Sequence, residues 1–117
     1  MDIFYYLKSC DTCRRIIKTL SLPDSVTLIN IKENPISTDQ LAALFSLTNS
    51  YAALFNSRAQ LLRKRGLKVS ELSEETMRDL LLEHYSFLKR PVLIYQDQFF
   101  IGNAPATIAA AEKALHE

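Results

Sequence analysis

The sequence predicts an α/β fold in which a β-α-β unit, a helical insertion and a β-β-α unit are built on one mixed four-stranded sheet. Three observations predict it. Two short runs of branched and aromatic residues, Ile3-Phe4-Tyr5-Tyr6 and Val26-Thr27-Leu28-Ile29-Asn30-Ile31, flank a stretch whose apolar residues recur at helical spacing. Near Pro35 these runs give way to a helical tract that extends to about residue 88. Two further apolar runs and an alanine-rich tail then close the chain.

Each element follows from its residues. Ile3 to Tyr6 reads as a buried strand. Between Asp11 and Leu20, Ile16, Ile17 and Leu20 mark one face of a helix, and Pro23 lies beyond its end. Residues 26–31 form the second strand, so the unit is parallel with a right-handed crossover. Ile36-Ser37-Thr38-Asp39-Gln40-Leu41 places capping residues ahead of an apolar periodic run through Phe45. Further helices are predicted over 50–56, 58–65 and 73–83, the last opened by Ser73-Glu74-Glu75-Thr76 with acidic residues in its first turn. After Arg90-Pro91, the runs Val92-Leu93-Ile94-Tyr95 and Phe99-Phe100-Ile101-Gly102 flank polar Gln96-Asp97-Gln98 and read as a β-hairpin. Residues 104–116 form the closing helix. Without the helical block, this order is that of a thioredoxin-like domain.

At 117 residues the chain predicts a single domain, 1–117, with a helical insertion at about 35–88. Hydrophobic residues at 48% and charged residues at 23% belong to an ordinary globular protein. A net charge of +1 argues against direct binding to nucleic acid or to an acidic membrane surface. No apolar run approaches the length of a membrane-spanning helix. The start, Met1-Asp2-Ile3-Phe4, is acidic and enters a strand at once, which predicts no secretory signal and a cytoplasmic location. In that reducing compartment a cysteine pair is more often reactive than structural.

The two cysteines of the chain are Cys10 and Cys13, in Ser9-Cys10-Asp11-Thr12-Cys13-Arg14-Arg15, where the first strand yields to the first helix. Three positions apart on one helical turn, they lie close enough to close a disulfide. The first thiol sits at the helix N-terminus, where unpaired amides and the macrodipole favour a thiolate. Lys8, Arg14 and Arg15 add local positive charge, which lowers a thiol pKa further. Two other readings stay open at this point. A zinc site needs two more ligands, and His84 and His116, which read as surface or helix-end residues, do not supply a second pair at metal spacing. Two inert buried cysteines are the other, although two arginines follow the pair at once.

Three separated segments resemble one family, the arsenate reductase-like (ArsC/Spx) branch of the thioredoxin superfamily. They are Cys10-Asp11-Thr12-Cys13-Arg14, Asn56-Ser57-Arg58-Ala59-Gln60-Leu61-Leu62-Arg63-Lys64, and Leu88-Lys89-Arg90-Pro91-Val92-Leu93, with Ile101-Gly102 before the last helix. The resemblance spans nearly the whole chain in one order. It implies that Cys10 is the nucleophile, that Cys13 resolves the intermediate, and that Arg58 and Arg90 line the site. A guanidinium fork suits both tasks implied for it, holding an oxyanion and stabilising a thiolate. Thr12, Arg14 and Pro91 are implied on the substrate-binding side, with Pro91 following a cis bond. The substrate implied is a disulfide, a glutathione adduct or a small oxyanion. No bound cofactor and no metal are implied, and glutathione or thioredoxin is the implied electron donor.

Two positions depart from the named activities of that family. Its arsenate reductases carry a third arginine just after the fourth strand, where this chain has Ile101-Gly102-Asn103-Ala104-Pro105, and no arginine follows Arg90. Weak arsenate reduction is therefore expected. The alternative implied by the resemblance is a redox-sensing transcriptional regulator of the Spx type, which binds the RNA polymerase alpha subunit. Such regulators carry a glycine upstream of the Arg58 position, where this chain has Asn49-Ser50-Tyr51-Ala52-Ala53.

Overall fold

Four strands, β1 (Ile3–Tyr6), β2 (Thr27–Asn30), β3 (Val92–Tyr95) and β4 (Gln98–Ile101), form one sheet in the order β2-β1-β3-β4. β1 runs parallel to β2, with Phe4 opposite Leu28, and antiparallel to β3, with Phe4 opposite Leu93. β4 closes the hairpin with Leu93 opposite Phe100. The sheet is therefore mixed, as the sequence predicts. The structure is a computed structural model that describes residues 2–117. The chain divides into two compact units: a sheet unit, which runs to Asn34 and resumes over Arg90–Glu117, and a helical unit, Pro35–Lys89.

The sheet unit contains helices α1 (Asp11–Leu20) and α5 (Pro105–His116), which pack together. Because strand side chains alternate between faces, Phe4, Leu93 and Phe100 share one side. There they join Ile16 and Leu20 of α1, Val26, and Ala111 and Leu115 of α5 in one apolar core. Tyr5, Val92 and Ile94, of opposite parity, are buried too. His116 lies at the end of α5, and its Nε2–H donates to the Leu20 carbonyl at the end of α1 (2.6 Å). The bond satisfies one of the last carbonyls of α1, which have no partner within their own helix.

The helical unit contains α2 (Thr38–Thr48), α3 (Gln60–Lys64) and α4 (Glu74–Glu83), with 3-10 turns at Ala52–Leu54, Val69–Glu71 and Tyr85–Phe87. Ser37 and Gln40 form a reciprocal capping box at the start of α2. Phe55 and Phe87 stack in the interior at 5.6 Å, and the Arg65 guanidinium covers the Phe87 ring while pairing with Glu83 at 2.7 Å.

Among the differences from the sequence expectation, three have a clear local reason. The helix expected over 50–56 is only the 3-10 turn Ala52–Leu54, because Phe55 turns extended and bridges to Leu88. The helix expected over 58–65 contracts to Gln60–Lys64, since the Arg58 N–H is taken by the Asn56 side chain and Gly66 leaves the helix at φ +67°. β4 begins one residue early, at Gln98, because the hairpin loop is the two-residue turn Gln96-Asp97, both at positive φ.

Candidate active site at the start of helix α1

The turn that carries Cys10 is fixed from both sides. The Cys10 N–H donates to the Leu7 carbonyl (3.0 Å), and the Lys8 N–H donates to the Asn30 side chain at the end of β2 (3.3 Å). Cys10 then occupies the N-cap of α1 with extended dihedrals, and its carbonyl accepts the first helical bond, from the Arg14 N–H (3.1 Å). The chain thus places the thiol where the amides of the first helical turn have no partner.

Cys10 is partly exposed and Cys13 is fully buried; both thiols are free. They are tuned in opposite directions. Burial opposes ionisation of Cys10, but the Cys13 N–H, the Cys13 thiol, the Thr12 N–H and the Arg90 charge together outweigh it and hold the pKa below its ordinary value. The neutral thiol itself makes no capping hydrogen bond, so these donors favour the thiolate specifically. Burial raises the Cys13 pKa to about 11. The Leu7 N–H opposes that rise, while the hydrogen bond to Cys10 and the Cys10 charge add to it. Arg90 lowers both thiols.

Arg90 is joined to Pro91 by a cis peptide bond at the entrance to β3, as the resemblance implies. Its Nη1 is buried and has no hydrogen-bond partner among the described residues. A buried cationic nitrogen without an acceptor is costly unless an anion completes it. A thiolate or an oxyanion has the charge that such a nitrogen lacks a partner for.

The charges nearest in sequence behave differently. Arg14 is exposed and pairs with the Asp11 carboxylate, and the Arg15 guanidinium reaches the Thr12 hydroxyl at 3.4 Å. Lys8 is exposed. The sequence points to Lys8, Arg14 and Arg15 as local charges on the thiol, and the resemblance adds Arg58 and Arg90; of these five, the cation that acts on both thiols is Arg90. Thr12 is half-buried and lends its N–H.

Arg58 belongs to the helical unit, where it is exposed on the loop ahead of α3. With Arg63 it flanks a shallow depression floored by Leu62, Leu67 and Val69. Its backbone is held by Asn56, which opens the second resembling segment but has no role implied there. An Asn two positions before an arginine, at the approach to a helix, is the signal that was available. His84 caps the turn after α4 by accepting from the Ser86 N–H (3.1 Å), so both histidines serve helix ends. Among the described residues no group of three or more His, Cys, Asp or Glu side chains stands at metal-binding distance. No helix among them is long and apolar enough to cross a membrane.

The ArsC family model matches residues 5–111. The chain is 30% identical over 104 residues to the global transcriptional regulator Spx of Streptococcus pyogenes serotype M1, covering 87% of this chain and 78% of that protein. Among solved structures, an arsenate reductase (ArsC) related protein from Brucella melitensis superposes with a TM-score of 0.70 at 25% identity, covering 93% of this chain and 92% of that one. An arsenate reductase from Vibrio cholerae shares the fold, with a TM-score of 0.75 at 19% identity over 94% of this chain and 96% of that one.

Proposed function

The chain belongs to the ArsC family, and from that premise we propose that it is a thiol–disulfide oxidoreductase with Cys10 as nucleophile and Cys13 as resolving thiol. The observation that carries the reading is the buried, unpartnered Arg90 nitrogen, whose charge acts on a thiol pair tuned in opposite directions. One cysteine is prepared to attack as a thiolate while the other is held protonated.

The Cys10 thiolate attacks one sulfur of a substrate disulfide. A bond forms between Cys10 Sγ and that sulfur, the substrate S–S bond breaks, and the departing thiolate takes a proton from water. The enzyme–substrate disulfide removes the Cys10 charge and its hydrogen bond with Cys13, the two influences of Cys10 that hold the Cys13 pKa up. Arg90 then acts on Cys13 without that opposition, and the buried thiol becomes easier to ionise. Cys13 attacks Cys10 Sγ, closes the Cys10–Cys13 disulfide, and releases the second substrate sulfur, which receives the Cys13 proton. The substrate gains two electrons and two protons, and two molecules of a thiol donor such as glutathione, or one dithiol such as thioredoxin, restore the protein. In this reading Arg90 stabilises the attacking thiolate, and Arg58 takes an anionic part of the substrate.

A small oxyanion is the poorer substrate. Asn103 is exposed in the segment that follows β4, and an amide there offers a neutral hydrogen bond without offsetting oxyanion charge. The test is NADPH consumption coupled to glutathione reductase, run separately with arsenate and with a glutathione mixed disulfide. Turnover on the mixed disulfide with little on arsenate is expected. Rapid turnover on arsenate would contradict the preference.

The Spx similarity favours a second reading, in which the Cys10–Cys13 disulfide changes affinity for a partner such as the RNA polymerase alpha subunit. Silence on both substrates, with the disulfide still forming on oxidation, would select it.

A further inference from the structure

We infer that Asn56 is a positioning residue, whose side chain locks Arg58 to the segment that leads into Arg90. One amide makes both connections. Asn56 Oδ1 accepts from the Arg58 N–H at 3.1 Å, and Asn56 Nδ2 donates to the Ser86 carbonyl at 3.1 Å. The first bond closes an Asx turn that fixes the backbone of Arg58, and with it the direction in which that side chain leaves the chain. The second bond ties the turn to a segment 30 residues away.

The backbone around Asn56 strengthens the lock. The Asn56 N–H donates to the Phe87 carbonyl (2.7 Å), and the Lys89 N–H donates to the Leu54 carbonyl (2.8 Å). Between them Phe55 and Leu88 face each other as an antiparallel bridge, both buried, and the Phe55 and Phe87 rings stack. This short ladder holds 54–56 and 87–89 in one register, and Arg90 is the next residue after Lys89. The ladder sets backbone against backbone, and the Ala59 N–H, which donates to the Asn56 carbonyl (3.2 Å), carries the turn past Arg58; the bond to the Arg58 N–H itself comes from the Asn56 side chain. Serine can imitate the Asx turn but has no amide to reach Ser86, and alanine makes neither bond.

The inference rests on the reading that Arg58 takes an anionic part of the substrate, so the experiment uses two measurements. In the full chain, amide hydrogen exchange is followed at Arg58 by NMR for Asn56→Ala and Asn56→Ser. Steady-state kinetics are measured on the same proteins with oxidised glutathione, which is anionic, and with bis(2-hydroxyethyl) disulfide, which is neutral. Asn56→Ala is expected to speed Arg58 exchange about tenfold while residues of α4 keep their protection, and to raise KM for oxidised glutathione about tenfold with kcat and the neutral substrate little changed. Asn56→Ser, which keeps an acceptor for the Arg58 N–H, is expected to retain most of the exchange protection and to serve as the variant if Asn56→Ala does not fold. Added to Arg58→Gln, either substitution should cost nothing further. Unchanged Arg58 exchange in Asn56→Ala, or equal losses on both disulfides, would overturn the positioning role. If the unsubstituted protein turns over neither disulfide, the reading of Arg58 fails, and the exchange data still decide whether Asn56 fixes it.

Discussion

At Cys10 two opposing influences decide the charge of one sulfur. Burial favours the neutral thiol, while three donors from Thr12 and Cys13 and the Arg90 charge favour the thiolate, and the second group prevails. The expected outcome is alkylation of Cys10 at neutral pH with a midpoint below that of a free thiol, while Cys13 stays unmodified. Rates against pH on Cys10→Ser and Cys13→Ser separate the two. Replacing the charge, Arg90→Gln, should raise the Cys10 midpoint and slow alkylation severalfold at pH 7, whereas Lys89→Ala should leave both unchanged. Equal effects would mean that Arg90 acts only as a general surface charge. Sequence placed Cys10 and Cys13 at the helix start through strand-to-helix periodicity alone. Charge along the chain pointed to Lys8, Arg14 and Arg15, of which Arg14 is paired with Asp11 instead, and Arg90 entered through the family resemblance, because nothing local joins it to Cys10.

Elements in this protein end where a side chain or a turn geometry makes them end. Gln96 and Asp97 stand at φ 49° and 66°, the mirror-image turn that suits a two-residue hairpin and that Asn-Gly adopts with least strain. Gln96→Asn with Asp97→Gly should therefore stabilise the protein by about 1 kcal/mol, read from urea unfolding. In the helical unit the Glu74 carboxylate accepts from the Tyr51 and Ala52 N–H groups at 2.8 and 2.9 Å, bridging α4 to the 3-10 turn. Removing it, Glu74→Ala, strands two amide donors and should cost about 1–2 kcal/mol. Breaking the exposed Arg78–Asp79 pair should cost no more than about 0.5 kcal/mol. Similar losses for the two substitutions would show that the carboxylate clamp is no better than a surface ion pair. The helix starts at Ser37 and Ser73 were legible because capping is written in adjacent residues. The bounds of the short helix at 60–64 were not, because Asn56 and Gly66 cut it from outside its apolar pattern.

For the whole molecule the buried Cys13 links folding to alkaline pH. Folded, it keeps its proton to about 11, whereas the unfolded thiol releases it near its ordinary value of 9.0. Between these values the folded state binds more protons, so stability falls as pH rises. The gap corresponds to about 3 kcal/mol at about 1.4 kcal/mol per pH unit. Cys10, whose pKa is lowered, works the other way: its contribution is complete above the ordinary thiol value and is lost as pH falls through the folded one. Buried Tyr5, raised above 10.0, adds to the alkaline loss, so the decisive comparison is with Cys13→Ala. Urea unfolding at pH 9 and pH 11 should show a markedly smaller loss in that variant; parallel losses would contradict the assignment. The sequence of strands and helices along the chain and the hairpin were legible because alternation and turn residues are local, and the parallel crossover follows from chain handedness. Burial of Cys13 was less so, since the residues on either side of it, Thr12 and Arg14, are half-buried and exposed, while Cys13 itself is fully buried.

The central claim is that Cys10 and Cys13 act as one redox pair, and the most direct measurement is thiol mapping by mass after exposure to one equivalent of oxidised glutathione. The account predicts transient glutathione on Cys10, then an intramolecular Cys10–Cys13 disulfide lighter by two hydrogens and closed to alkylation, with stable glutathione on Cys10 in the Cys13→Ser variant. Stable glutathionylation of Cys10 in the unsubstituted protein, with Cys13 still alkylated after unfolding, would contradict it.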